Sequence, residues 1–305
     1  MIKRDATYSA IIGPEEFNRI NTTEHLYIKS SDIIIKKCIE EEVKNTFKKL
    51  EVVELGCGPA RLTQLICEIK RIKLTGIDHD DPYLAYAQEK VRSDTDFKKA
   101  DITTYQHDKP VDVFYSQGVH HHMAKPPTEY LRNVRKQLIT KGVYIVGDEF
   151  LPEYKTEEER RLRATIWYSH IIDHALRHGH EYLAQEEAKT FLDELNTAQD
   201  ETRVKTKDQI ELVLQQVGRV DRAARKEGIE KAEKYALDFL GALEKVYNWK
   251  LQVDATLNLS RGDYKICDRI FREEVKETGF RVRTYKSIGL MERIGGMGVY
   301  VLEKA

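Results

Sequence analysis

Two glycines separated by one residue follow a short apolar run near residue 50, and this pattern restricts the fold more than any other feature of the chain. The segment at 52–60 reads Val-Val-Glu-Leu-Gly-Cys-Gly-Pro-Ala. Gly56 permits a sharp turn after a strand, and Gly58 allows the backbone to approach a ligand closely. Asp78 lies 20 residues after Gly58 at the end of the next predicted strand, where a carboxylate accepts hydrogen bonds from ribose hydroxyls. The pattern predicts a nucleoside-binding turn between a strand and a helix.

The turn lacks the other features of two common phosphate-binding loops. A dinucleotide fingerprint of the form G-x-G-x-x-G would need a third glycine where this chain has Arg61. A Walker-type loop would need Gly-Lys followed by Ser or Thr, and no such sequence follows the turn. The turn therefore suits a nucleoside that carries no pyrophosphate.

Short strands alternate with helices from residue 50 onward. The predicted strands are 51–55, 72–78, 97–101, 111–116 and 143–148, and the predicted helices are 59–69, 81–91 and 128–139. This βαβ alternation predicts an α/β fold with a doubly wound, mostly parallel sheet, whose ligands lie outside the carboxyl ends of the strands. Later strands at 280–287 and 299–302 follow a helix at 263–276 and complete a sheet of seven strands.

Strand-like sequence is missing from 151–262, where charged residues are dense and Pro and Gly are scarce. We predict a helical insertion at 151–262 within an α/β core formed by 50–150 plus 263–305. A helical N-terminal lead-in at 1–49 precedes this core. Ser30, Ser31 and Asp32 are the predicted caps of the main helix of the lead-in.

The charge balance argues against several classes of partner. The chain has 305 residues, with 50 Lys and Arg against 51 Asp and Glu, and a formal net charge of −1. Such a chain has no long-range attraction for nucleic acid or anionic membranes. No apolar run approaches the roughly 20 residues of a membrane helix, and no apolar stretch follows 1–5 to suggest a signal peptide. The four cysteines have no zinc spacing and are typical of free thiols, so we expect a cytoplasmic protein.

Four segments together resemble the class I S-adenosylmethionine-dependent methyltransferases. The glycine motif of that family, E/D-x-G-x-G-x-G, reads Glu54-x-Gly56-x-Gly58-x-Ala60 here, with one extra methyl group at its last position. The segments that resemble the motifs of its second, third and fourth strands are Gly76-Ile77-Asp78-His79, Ala100-Asp101-Ile102 and the run from Ser116 to His122, which begins Ser116-Gln117-Gly118. Gly279-Phe280, followed by the segment from Gly295 to Tyr300, resembles the antiparallel strand pair that closes the family's sheet.

The resemblance implies a Rossmann-like methyltransferase fold and S-adenosyl-L-methionine as the cofactor. It implies that Asp78 binds the ribose, that Asp101 binds the adenine amino group, and that the fourth-strand motif lies beside the methionine moiety. The implied cofactor-binding residues are Glu54, Gly56, Gly58, Ala60, Asp78, His79, Asp101, Ile102, Ser116, Gln117 and Gly118. Considered singly, Asp78 and Asp101 each have an alternative role as the cap of a turn.

Histidines and acids supply candidates for the acceptor side. His120 and His121 follow the fourth strand, whereas His170 and His174 lie one helical turn apart and share a stripe of their predicted helix. The predicted catalytic residues, which position or deprotonate an acceptor, are His120, His121, His170, His174, Asp148 and Glu149. Packing within the protein is the alternative for the histidines, and helix capping is the alternative for the acids. The HxxxH spacing is also a metal-ligand spacing, but HExxH is absent and we predict no metal.

These features predict a methyltransferase that acts on a nitrogen or oxygen atom of a small molecule beneath a lid formed by the insertion. The fourth-strand segment lacks the D/N-P-P-Y pattern of enzymes that methylate bases, so no nucleic-acid acceptor is expected. Two alternatives stay open: cleavage, cyclisation or decarboxylation of the same sulfonium, or a non-catalytic nucleoside-binding protein. Tyr8 and Tyr27 either cover the cofactor or pack in the core. Leu237, Leu240 and Leu243 serve either a core or a homodimer interface.

Overall fold

Seven strands in a row form the central sheet of the computed structural model, and helices lie on both of its faces. The structure describes residues 9, 13–23, 27–91, 94–123, 127–178, 218–220, 222–228, 230–232, 234–235 and 264–305. The strands are β1 Leu50–Leu55, β2 Ile72–Asp78, β3 Asp96–Lys99, β4 Val111–Gln117, β5 Leu138–Leu151, β6 Ile266–Cys267, β7 Phe280–Leu290 and β8 Gly295–Lys304. The helices are α1 Pro14–Thr23, α2 Ile28–Lys44, α3 Arg61–Ile66, α4 Asp81–Lys90, α5 Thr128–Gln137, α6 Glu157–His178 and α7 Asp268–Glu277. A short 3₁₀ turn, His120–His122, follows β4.

The strand order is β3-β2-β1-β4-β5-β8-β7, and the two-residue strand β6 pairs with β5 outside this row. The first five strands of the row are parallel, whereas β8 runs antiparallel to both β5 and β7. The prediction of a doubly wound, mostly parallel sheet is confirmed. Because the order reverses between β1 and β4, a crevice opens there at the carboxyl ends of the strands.

Two apolar clusters hold the sheet between its helices. On one face, Ile35 and Ile39 of α2 pack with Leu62 of α3 against β1, β4 and β5. On the other face, Tyr130 of α5 and Phe271 of α7 pack against the same strands. Parallel strands buried on both faces need nearly continuous apolar sequence, and β4 meets this need with four buried apolar residues among the five before Ser116.

The strand β5 is longer than the sequence predicts. It spans Leu138–Leu151 rather than 143–148, because Leu138 already pairs with Val111 of β4 and the ladder with β8 continues from Val143 to Phe150. Asp148 and Glu149 therefore lie inside a paired strand near its carboxyl end, with side chains on alternate faces of the sheet.

The predicted caps of the lead-in helix are wrong. The helix α2 begins at Ile28 with Tyr27 at its N-cap, which makes no side-chain capping bond. Ser31 and Asp32 lie inside the helix on its buried face, in line with Ile35. Both polar side chains consequently point toward the sheet.

Within the described residues, no helix combines the length and the apolar character that crossing a membrane requires. In the same part of the chain, no three side chains from His, Cys, Asp and Glu come together in a group that could hold a metal ion.

Candidate functional site

The turn after β1 has a left-handed backbone at alternate residues. The φ angles are +69° at Gly56, +51° at Gly58 and +63° at Ala60. A Cβ atom at Gly56 would lie 2.6 Å from Cγ2 of Val119, in the segment that follows β4. Glycine at this position thus allows both the turn and the close approach of β1 to β4. Ala60 adopts a conformation that costs an L residue about 1 kcal/mol or more.

Asp78, at the end of β2, holds this turn in place. Its Oδ2 accepts a hydrogen bond from the Gly58 amide at 2.7 Å, and its Oδ1 accepts one from the Asp80 amide at 3.0 Å. Burial raises the pKa of Asp78, while the bonds from these two amides partly oppose the increase. The neighbouring His79 is largely exposed, and its Nδ1 lies 3.6 Å from Oδ1 of Asp78. Asp78 therefore lies at the crevice and carries part of the turn's structure.

Glu54 lies beneath the turn and is only 2% exposed. Its Oε2 accepts hydrogen bonds from Oγ1 of Thr63 at 2.5 Å and from the hydroxyl of Tyr115 at 2.7 Å. Burial raises the pKa of Glu54 to about 7, the two hydroxyl donors lower it, and the charge of Asp78 raises it further. Two carboxyl groups thus lie close together on the cofactor side of the crevice.

Helices α1 and α2 bring side chains to the turn that the sequence analysis did not identify as site residues. Nδ2 of Asn18 donates to the Pro59 carbonyl at 3.0 Å, and Oγ of Ser31 donates to Oε1 of Gln117 at 2.7 Å. Asp32 forms an ion pair with Arg61, whose pKa burial lowers to about 10. The available signal was the polar pair at 31 and 32 on the otherwise apolar stripe of α2.

Three buried polar atoms of these residues have no hydrogen-bond partner in the described part of the chain. They are Oδ1 of Asn18, Oδ1 of Asp32 and Nε2 of Gln117. A buried unsatisfied group of this kind costs about 1–3 kcal/mol. The other polar atoms of these side chains are already engaged: Asn18 bonds to the turn, Asp32 to Arg61 of α3 and Gln117 to Ser31 of α2. Together the three unpaired atoms offer two acceptors and one donor to a ligand. This set suits a group that bears both an ammonium and a carboxylate.

The predicted residues of the third and fourth strands separate into two groups. Oδ1 of the exposed Asp101 accepts bonds from the Thr103 amide at 2.8 Å and hydroxyl at 2.6 Å, while Ile102 is buried in the core. Ser116 is fully buried, and its Oγ lies 2.8 Å from the hydroxyl of Tyr144. Gly118, the residue that follows β4, has a φ of +68°. The residues that the structure assembles around the crevice are Glu54, Gly56, Gly58, Ala60, Asp78, Gln117 and Gly118.

Asp148 fixes the ring of His121 at the carboxyl end of β5. Its Oδ1 lies 2.5 Å from Nδ1 of His121, and its Oδ2 accepts the His120 amide at 2.6 Å. Burial raises the pKa of Asp148, but the charges and bonds of the neighbouring histidines outweigh it and lower the pKa to about 2. An ionised carboxylate only accepts hydrogen bonds, so Nδ1 of His121 carries the proton and the lone pair of the neutral ring is on Nε2. This is the arrangement of a histidine base oriented by an acid.

His120 has the opposite ring arrangement. The residue is 1% exposed, with Nδ1 at 2.9 Å from the Tyr130 hydroxyl and Nε2 at 2.8 Å from Oε2 of Glu274. When Glu274 accepts a hydrogen bond from Nε2–H of His120, the lone pair on Nδ1 accepts a hydrogen bond from the Tyr130 hydroxyl. Both nitrogen atoms of this ring are therefore engaged within the protein.

Glu149 and His170 belong to a second polar cluster, on the other face of β5. Oε2 of Glu149 accepts from Nε1 of Trp167 at 3.1 Å and lies 2.8 Å from the ammonium of the buried Lys265. Tyr27 stacks on Trp167 at 5.8 Å, and its hydroxyl lies 2.9 Å from Nε2 of His170. Tyr27 thus packs against α6. The side chain of His174 lies outside the described part of the chain, as do Tyr8, Leu237, Leu240 and Leu243, so their predicted roles stay predictions.

The turn after β1 and the strands around it are similar in sequence to known proteins. A family model described as a methyltransferase domain matches residues 52–142. A trans-aconitate 2-methyltransferase from Rhizobium rhizogenes is 40% identical over 68 residues, which is 22% of this chain and 26% of that protein. The corresponding enzyme from Agrobacterium fabrum is 36% identical over 67 residues, again 22% of this chain and 26% of that protein. The chain thus matches about a quarter of the length of these curated relatives.

Among solved structures, the CurJ carbon methyltransferase matches with a TM-score of 0.51 and 13% identity, over 95% of this chain and 58% of that chain. Sequence identity this low shows a shared fold and carries no residue roles from one protein to the other.

Proposed function

We propose that this chain, whose α/β core is a class I S-adenosylmethionine-dependent methyltransferase domain, transfers a methyl group from S-adenosyl-L-methionine to a nitrogen or oxygen atom of a small molecule. The observation that carries the proposal is the left-handed turn at 56–60, held by the carboxylate of Asp78 at the point where the strand order reverses.

The residues around the turn fit this cofactor. The unpartnered atoms of Asp32 and Asn18 accept hydrogen bonds from an ammonium group, and Nε2 of Gln117 donates to a carboxylate. The carboxylates of Asp78 and Asp101 have lone pairs for ribose hydroxyls and for the adenine amino group. Glu54 adds negative charge beneath the turn, which favours a cationic ligand.

The cofactor supplies an electrophilic methyl group on a sulfonium, so the protein's main task is to align the acceptor and to exclude water. His121 takes the acceptor's proton at Nε2 when the acceptor must lose one, and Asp148 holds its Nδ1–H. A positioned base of this kind contributes about 10²–10⁴-fold to the rate. Glu149, His120, His170 and His174 position the acceptor or the base in this proposal.

In this proposal the insertion at 151–262 forms the acceptor-binding lid. It interrupts the core, which consists of 50–150 plus 263–305, and residues 1–49 form the lead-in. The helix α6 starts six residues after β5 ends, and it brings Trp167 back to Glu149 near the carboxyl end of β5 and His170 to Tyr27. An enclosed acceptor site favours a small molecule over a nucleic acid. The four free cysteines favour the cytoplasm.

Isothermal titration with S-adenosylmethionine and S-adenosylhomocysteine tests the cofactor assignment. Release of S-adenosylhomocysteine is then measured against a library of small amines, phenols and carboxylic acids, the last because two relatives are named trans-aconitate 2-methyltransferases. We expect binding of both compounds and release only when an acceptor is present. Release of a different product without an acceptor would indicate cleavage, cyclisation or decarboxylation, and binding without any product would indicate a sensor. Absence of binding would overturn the proposal.

A further inference from the structure

The ring of His120 is clamped between two helices that are remote in sequence. Tyr130 of α5 lies at its Nδ1, and Glu274 of α7, 154 residues away in sequence, lies at its Nε2. Phe271, one turn earlier on α7, meets the ring edge-on with a centroid distance of 4.8 Å. The rotation of the His120 ring is therefore fixed from three sides.

The backbone of the same residue supports the carboxylate that orients His121. The amides of His120 and His121 donate to Oδ2 of Asp148 at 2.6 and 3.3 Å. Within the turn, the bonds are those of a single 3₁₀ turn, from His122 to Val119 at 3.0 Å and from Met123 to His120 at 3.2 Å, and the Tyr264 amide donates to the His121 carbonyl at 2.6 Å. Asp148 is held in the ladder of β5 with β8, so the position of His120 sets how the two amides meet this carboxylate and how the His121 ring faces it.

Burying the carboxyl group of Glu274 at this position costs folding free energy. The residue is 8% exposed, and a buried carboxylate is retained at a cost unless its hydrogen bonds are satisfied. It lies in α7, outside the matched residues 52–142, so nothing in the family model assigns it a role. Its position on the core face of α7, beside Phe271 and Val275, would otherwise suit an apolar residue.

We propose that Glu274 is a positioning residue for the candidate base. By accepting from Nε2 of His120 it fixes the tautomer of that ring, holds the 3₁₀ turn in register with Asp148, and keeps the Nε2 lone pair of His121 directed at the acceptor. This inference rests on the proposed function in its last step only. In the described part of the chain, the ionisable groups in contact with the His120–His121 pair include Tyr130 of α5, Glu274 of α7, Asp148 of β5, His122 of the turn itself and Tyr264 before β6.

The test follows the ring of His121 rather than activity. Two-bond proton–nitrogen spectra of protein with isotopically labelled histidine report which ring nitrogen carries the proton, and a His121→Asn variant assigns the signals. In wild-type protein we expect the Nδ1–H tautomer at His121 and the Nε2–H tautomer at His120. In Glu274→Ala we expect His121 to become a mixture of tautomers.

Thr278→Ala is the matched control on the same helix. Oγ1 of Thr278 bonds to the carbonyls of Glu274 and Val275 at 2.9 Å but does not touch His120. This variant disturbs the end of α7, and we expect a wild-type His121 spectrum. An equal change in both variants would reduce Glu274 to general support of the helix and would overturn the proposal, as would an unchanged His121 spectrum in Glu274→Ala.

Tyr130→Phe keeps the proposal testable should Glu274→Ala fail to fold. It removes one oxygen atom and the bond at Nδ1 of His120, so we expect a shift of the His121 tautomer in the same direction, and an unaltered spectrum would again overturn the proposal. Affinity for S-adenosylhomocysteine is measured in parallel and should stay within about twofold of wild type in each variant, as for independent sites. If wild-type protein does not bind S-adenosylhomocysteine, the proposed function is refuted, whereas the effect of Glu274 on the His121 tautomer still stands.

Discussion

Two buried carboxyl groups at the same edge of the sheet have pKa values shifted in opposite directions. Glu54 of β1 and Asp148 of β5 are 2% and 1% exposed, and burial raises the pKa of each. Burial raises the pKa of Glu54 to about 7, because its hydroxyl donors Thr63 and Tyr115 offset only part of this rise and the neighbouring carboxylate of Asp78 adds to it. Asp148 has histidine rings and backbone amides, so its pKa falls to about 2. The partner, and not the degree of burial, decides which form each acid takes.

The difference separates the two halves of the proposed site by charge. On the histidine side the carboxylates of Asp148 and Glu274 are hydrogen-bonded by rings and amides of the protein, so this side keeps its arrangement with or without a ligand. The turn side holds two carboxyl groups whose charge is incompletely balanced, and a sulfonium and an ammonium supply the missing positive charge. Each half therefore responds differently to substitution and to pH.

Asp148→Asn should produce the largest effect, because it removes the charge that fixes the Nδ1–H tautomer of His121. Steady-state kinetics with a substrate whose nucleophile must lose a proton should show a loss of about 10²–10⁴-fold in kcat. Affinity for S-adenosylhomocysteine should not change. The acid contributes stability only above its unfolded-state pKa, and that stability is lost as pH falls toward 2. Urea unfolding at neutral pH should therefore also show a weaker fold.

Asp108→Asn is the matched control for that experiment, since the side chain of Asp108 is 83% exposed and lies 3.4 Å from Lys98. It should leave both rate and stability unchanged. A functional Asp148→Asn enzyme with wild-type kcat would remove His121 from the catalytic role.

Glu54→Gln should stabilise the cofactor-free protein and weaken its affinity for the cofactor. The folded-state pKa of Glu54 lies above its unfolded value, so its contribution is favourable at low pH and is lost as pH rises from about 4.5 to about 7. The shift from 4.5 to about 7 corresponds to up to about 3 kcal/mol at pH 8. Chemical denaturation at pH 5 and pH 8 checks the sign.

The stabilisation by Glu54→Gln should be present at pH 8 and largely absent at pH 5. Glu68→Gln, at a side chain that is 64% exposed, is the control and should alter neither value. A Glu54→Gln protein less stable than wild type at pH 8 would show that the ionised carboxyl group of Glu54 does not destabilise the folded protein.

Gly56→Ala should damage the turn after β1. The added Cβ meets Val119 at 2.6 Å, and a φ of +69° costs an L residue about 1–2 kcal/mol. A turn that relaxes to avoid this cost must be restored to bind the cofactor, which corresponds to a loss of about tenfold in cofactor affinity. Calorimetric titration measures the loss. Gly13→Ala is the matched control, because a Cβ atom there meets nothing within 4 Å; an equal loss in both variants would contradict the role given to Gly56.

The sequence predicts the turn half of the molecule well because its signals are local. The strand β2 lies at the predicted residues 72–78, and the turn at 56–60 takes the left-handed conformations that its glycines favour. Periodicity and turn chemistry involve neighbours within a few residues, which one sequence is enough to show.

The histidine half escapes prediction because its contacts are between distant residues. Three consecutive histidines do not reveal that His120 points to α7 while His121 points to Asp148, since the ring directions depend on a 3₁₀ turn. Glu274 looks like one more acid on a charged helix until α7 is packed against the sheet. The role of Asp32 is hidden for a related reason, because an acid near a helix start looks the same in sequence whether it caps the helix or pairs with a buried arginine.

Proton release on cofactor binding is the smallest effect and the most direct test of the contrast between the two halves. At pH 7, Glu54 of the cofactor-free protein is about half protonated, so a cation bound above it should expel up to about half a proton. Titrations in two buffers with different ionisation enthalpies measure this number. S-adenosylhomocysteine lacks the sulfonium charge and should expel less than S-adenosylmethionine, and Glu54→Gln should remove the difference between them. Asp148, fully ionised at this pH, should contribute nothing, so equal release by both compounds would mean that Glu54 does not sense the sulfonium.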